Sequence, residues 1–119
     1  MSQAARKRRP KAEVLQELDA LIARGEALRG RPLDDALALA WACVEKLVWR
    51  QDVLAVLPQM SQGITVAADF NRRGVLAEPG LREGLEDEAL LHCEGLTAQL
   101  EALRDAAERW RRSGTRPLA

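Results

Sequence analysis

His92 and Cys93 stand side by side, and Cys43 is the second cysteine of a chain that holds one histidine. Thiolate and imidazole are zinc ligands, so these three residues and a carboxylate could in principle build a tetrahedral site. Ligands for such a site are spaced to converge, and the sequence contains neither CxxC nor HxxxH. Neighbours on a helix project about 100° apart, which sets His92 and Cys93 against sharing a metal and equally against acting as a Cys–His nucleophile pair. The acidic run EGLEDE, residues 83–88, could hold magnesium if a facing helix supplied matched carboxylates. Glu13 and Glu17 are four apart, but no neighbouring segment completes such a motif. A first helical turn, where negative charge suits the helix dipole, accounts for the run better. There is no phosphate-cradling glycine loop and no serine nucleophile elbow. The expectation is a protein that is not an enzyme, with no metal, no cofactor and no small-molecule substrate.

Binding chemistry is better represented. Lys46 and Arg50 lie one turn apart, Arg72 and Arg73 are adjacent, and Arg109 and Arg112 are three apart. Arg8 and Arg9 belong to a basic N-terminal run. Guanidinium groups contact phosphates bidentately and stack on bases, so these eight residues are the candidate nucleic-acid contacts. Each pair alone also reads as ordinary solvated helix charge. RNA binding requires that they share a face.

The elements that must position them are helical. Residues 12–29 place Val14, Leu15, Leu18, Leu21, Ile22 and Leu28 at helical spacing, with Pro10 before and Gly30 and Pro32 after. A second helix is expected from about residue 33, with Asp34 and Asp35 in its first turn, to Pro58. Leu37, Ala40, Trp41, Val44, Leu47, Val48 and Leu54 mark one face of it, while Trp49, Val53 and Val56 mark another. So wide an apolar surface predicts either a central core helix or contact with another chain. Trp41, Trp49, Val53 and Val56, with Trp110 further on, are therefore the candidate protein-interface residues. The stretch LPQMSQGITVAADFNRRG, residues 57–74, is the poorest helix former. Met60, Ile64, Ala67 and Phe70 make a short apolar stripe, bracketed by Pro58 and a capping Gly74. The strand alternative, GITV, has no partner strand, and an isolated strand leaves its backbone unpaired. LAEPG, residues 76–80, reads as a turn. The last helix is expected over residues 81–112, with Ala89, Leu96, Leu103 and Trp110 at seven-residue intervals. At 1.5 Å per residue it is roughly 45 Å long, so either its end projects or a second chain covers it.

With these elements in place, LP, then GITVAADF, then RRG, followed by the amphipathic LEALRDAAERWRRS, resembles the small helical subunit of type III CRISPR effector complexes. The resemblance rests on about 35 residues of the chain. It implies a compact all-α, non-catalytic subunit that stacks along an RNA-guided defence complex and lines the guide–target duplex with basic residues.

Composition sets the remaining bounds. At 119 residues the chain is one domain, and with 3% aromatic residues its core must be aliphatic and alanine-rich, which favours helices over sheets. Formal charge is zero, yet residues 1–11 carry +5 and residues 104–119 carry +3, leaving −8 for the body. Anionic partners can therefore be met only at the ends or at local patches. Two helical cysteines and no apolar export segment place the chain in the cytosol, and no apolar run approaches the ~20 residues needed to span a bilayer. The reading is an all-α antiparallel four-helix bundle over residues 12–112, between a basic arm (1–11) and a short tail (113–119). It is expected to contact protein neighbours or copies of itself through apolar faces, and RNA through arginines. The rival expectation is a protein-binding adaptor or secretion-type helical chaperone that grips a partner helix with the face around Trp41, Trp49 and Val53.

Overall fold

Helix α1 runs over Lys11–Arg29, α2 over Ala36–Val56, α3 over Gly63–Leu76 and α4 over Leu85–Ser113. The computed structural model describes residues 9–76 and 84–113, and within them no strand is present. Arg8, most of the 76–80 turn, Glu83 and residues 114–119 lie outside the described residues.

Local chemistry sets the ends. The Pro10 carbonyl accepts from the amides of Glu13 and Val14 at 3.0 and 3.1 Å, so α1 starts one residue earlier than its apolar pattern. Gly30 closes it with φ −82°, donating to the Glu26 carbonyl, and so does not use the left-handed freedom expected of a terminal glycine. Helix α2 begins three residues later than expected because Asp35 is its N-cap, accepting from the Ala38 amide at 2.8 Å. Asp34 therefore precedes the helix instead of sitting in its first turn. Beyond Val56, Pro58 has no amide hydrogen, and the chain tightens into one 3-10 turn, Leu57–Gln59. Gln62 takes φ 57° and hands over to Gly63. A Cβ on Gly63 would collide with the Leu57 carbonyl oxygen, so only glycine permits this return.

The stretch that reads poorly in sequence is thus a helix, with GITV as its first turn, as the missing partner strand requires. Its details differ from expectation. Helix α3 continues through Gly74 instead of ending there. Its inward side is Val66 and Phe70, with Met60 packing beside them from the preceding turn, whereas Ile64 is 82% exposed.

The helices form an up-down-up-down bundle. Trp49 of α2 bonds to Leu21 of α1, and Arg31 pairs with Glu45, which makes that pair antiparallel. Lys11 meets Trp110 while Arg29 meets Thr97, and Val66 lies beside Ala106 while Arg73 meets Ala98, so α4 runs antiparallel to both α1 and α3. The core is built from Val14, Leu18, Leu21 and Leu28, from Trp49, Val53 and Val56, from Phe70, and from Leu96, Leu100 and Leu103. The far end of α4 does not project: Trp110 packs against the core beneath Lys11, and Arg111 pairs with Asp19.

Two contacts of one kind tie the layers. The indole of Trp49 lies against Gly25 and donates to the Leu21 carbonyl at 2.7 Å. Gln99, 2% exposed, lies against Gly74 and donates to the Phe70 carbonyl at 3.1 Å. In each case the glycine is four residues after the carbonyl, and its missing side chain opens the helix surface to a donor from the facing helix. A Cβ would come within 2.6 Å of Trp49 at position 25 and 2.5 Å of Gln99 at position 74.

Candidate protein-docking face

Helix α2 has two apolar sides, and the bundle uses one. Trp49 and Val53 are fully buried and Val56 nearly so, with the Trp49 ring 5.6 Å from that of Phe70. These three residues, expected at a protein interface, belong to the chain's own core. The correction has a simple cause: they occupy the arc of α2 that faces α1, α3 and α4. Trp110, also expected at an interface, is half-buried against the core.

The opposite arc stays open. Leu37 is 68% exposed, Trp41 61%, Val44 50%, Leu47 53% and Val48 51%. Taking about 200 Å² for a fully exposed large side chain, these fractions amount to roughly 550 Å² of apolar surface, at the top of the range for the largest patch on a monomer. Between this stripe and α1 runs a groove of about 370 Å³, lined by Leu28, Trp41, Val44 and Val48 and rimmed by Arg24, Arg31 and Glu45. The rim charges are matched inside the chain: Arg24 pairs with Asp52 at 2.7 Å, and Arg31 pairs with Glu45. Of the residues expected at an interface, Trp41 alone stands on this face.

Several of the basic candidates are engaged within the chain. Arg9 binds Glu13, Glu17 and Gln59, which holds its guanidinium above its ordinary pKa, Glu13 acting most strongly. Arg72 and Arg73 both bind Asp69, at 2.7 and 3.1 Å, and Arg73 also donates to the Ala98 carbonyl. The two guanidinium groups, Arg72 first, hold the Asp69 carboxyl below its usual range. Arg50 donates to Asn71 at 3.3 Å. Among the described residues Lys46, Arg109 and Arg112 make no ion pair. Lys46 acts on His92, and Arg109 lies 17 residues further along α4, about 25 Å away along its axis.

His92 is 4% exposed, with Nδ1 3.8 Å from the Cys43 thiol on α2 and Nε2 without a partner among the described residues. Burial, and then the charge of Lys46, pushes its pKa down to about 4, so the ring is neutral near pH 7. Cys93 turns instead towards the Arg29 carbonyl, 3.9 Å away. The approach of Cys43 to His92 has no signal in the sequence, since 49 residues separate them. The pair supplies two ligands, and among the described residues no group of three His, Cys, Asp or Glu side chains is placed to hold a metal ion. No helix among the described residues is long and apolar enough to cross a membrane. Comparison with family models, with curated proteins and with solved structures finds no match to this chain.

Proposed function

We propose that this chain is a non-enzymatic helical subunit of a larger assembly, docked on protein through the open face of α2. The observation that carries the reading is the five-residue apolar stripe from Leu37 to Val48, left outside the chain's own core. Exposing roughly 550 Å² of contiguous apolar surface to water forgoes on the order of 10 kcal/mol of transfer free energy at about 25 cal/mol per Å². A partner that covers it recovers part of that, and the matched rim charges leave an apolar centre with a polar border, the usual anatomy of an interface.

The nucleoprotein form of this reading asks more. It needs basic residues that are both free and together, and Arg72 and Arg73, its best candidates, are engaged by Asp69. Protein docking is the part that the geometry supports. The test is elution of the full chain in native extract, wild type against Trp41→Ser with Val48→Ser. The wild type is expected in a species larger than the monomer, and the variant, with unchanged helical circular dichroism, as the monomer. A wild-type monomer, or a variant that still elutes with the assembly, would refute the reading.

A further inference from the structure

We infer that the occupant of the α2 face is a second copy of this chain, packed with α2 antiparallel to α2 about a two-fold axis beside Val44. The inference rests on the docking reading above and identifies the partner. Its first support is register. At 100° per residue, Val44 stands at the centre of the exposed arc of α2, directly opposite the buried Val53. Trp41 and Val48 lie about 50° to the α1 side of it, and Ala40 and Leu47 about 50° to the other side. The spacing is therefore symmetric about Val44, three residues and four residues in each direction.

A two-fold axis perpendicular to both helices keeps the α1 side of one copy beside the α1 side of the other. Trp41 then meets Val48 of the second copy on that side, and Ala40 meets Leu47 on the other. Each large side chain faces a smaller one, and every contact occurs twice, as an isologous interface requires. The groove of about 370 Å³ beside Trp41, Val44 and Val48 gives the indole of the second copy room to seat.

Area and charge agree with this. Two faces of roughly 550 Å² can bury up to about 1,100 Å² of apolar surface, which reaches the ~1,000 Å² that a specific interface needs. The Arg24–Asp52 and Arg31–Glu45 pairs bring no uncompensated charge to the rim. The exposed Asp34 and Asp35 lie ten and nine residues from the axis, so the acidic ends of the two copies stand nearly 30 Å apart, beyond the ~8 Å screening length at physiological salt.

The test uses the purified full chain. Sedimentation is expected to give twice 13.2 kDa, and Trp41→Asp is expected to weaken the dimer at least about 30-fold. In a Cys43→Ser, Cys93→Ser background, Val44→Cys is expected to form a disulfide with its own counterpart. Leu37→Cys, whose counterpart lies roughly 20 Å along the axis, is expected not to cross-link to itself but to link to Gln51→Cys. A monomer at about 100 μM, a dimer indifferent to Trp41→Asp, or self-linking of Leu37→Cys without that of Val44→Cys would overturn the inference. If the purified chain is monomeric while its assembly in extract still depends on Trp41 and Val48, the second copy is excluded and the docking reading stands.

Discussion

The contact between Gly25 and Trp49 makes a demanding prediction, because two ordinarily opposed effects meet at one position. In an exposed helix interior, Gly→Ala stabilises by about 1 kcal/mol. Here the new methyl group would stand 2.6 and 2.9 Å from Trp49 Cζ2 and Cε2 and 2.8 Å from Leu100 Cδ2. Trp49 and Leu100 are fully buried, so neither has solvent to move into, and overpacking of this kind costs about 1–3 kcal/mol. Gly25→Ala should therefore lose on the order of 1 kcal/mol net. Trp49→Phe removes Cζ2, the nearest atom, and the donor to the Leu21 carbonyl, at a cost of about 2–3 kcal/mol. In that background the space left by the smaller ring gives the end of Leu100 room to yield. Gly25→Ala should then recover its propensity gain and become neutral or stabilising by up to about 1 kcal/mol. Urea unfolding of the four proteins, followed by far-ultraviolet circular dichroism, reads a coupling of about 1–2 kcal/mol, above the ~0.5 kcal/mol expected of independent sites. If Gly25→Ala costs the same in both backgrounds, the indole is not what the glycine accommodates, and the reasoning fails.

The two tryptophans of α2 should behave as opposites. Trp49→Ala should cost about 3–5 kcal/mol in thermal unfolding, whereas Trp41→Ala, measured at concentrations where the chain is monomeric, should change stability by less than about 0.5 kcal/mol and act on association alone. Gly63→Ala should destabilise by at least about 2 kcal/mol, measured by chemical denaturation, because the Leu57 carbonyl is backbone and cannot yield like a side chain. His92 gives a pH dependence of definite sign. Its native pKa of about 4 lies below its ordinary 6.5, so between these values the unfolded chain binds a proton that the native state does not. Its contribution is complete above about pH 6.5 and is lost as pH falls towards 4, by on the order of 1–3 kcal/mol. His92→Leu should flatten that part of the stability curve, and an unchanged slope would remove His92 as its cause.

The sequence by itself determined the helices. Apolar spacing located α1, α2 and α4, the lack of any partner strand made residues 63–66 helical, and the bundle order followed from four amphipathic segments joined by short turns. These are local signals, carried by residues within a few turns of one another. Element ends were less legible, because capping by Asp35 and the return at Gly63 depend on single hydrogen bonds and a backbone clash. Gly74, which sequence alone makes a cap, is instead the slot for Gln99, a partner 25 residues away. The same holds for Arg73: its pairing with Asp69 is local helical spacing, but only folding sets it against the Ala98 carbonyl of α4.

The decisive ambiguity was α2. Its sequence presents two apolar arcs, and nothing within the helix says which one turns inward. That choice belongs to the other helices: Gly25 opens α1 to an indole at position 49, Phe70 meets the same ring, and together they place the Trp49 arc in the core. With that arc buried, the geometry of an α-helix leaves Trp41, Val44 and Val48 facing outward. The docking face is therefore a tertiary consequence of the core, made visible only when the helices that compete for α2 are in place.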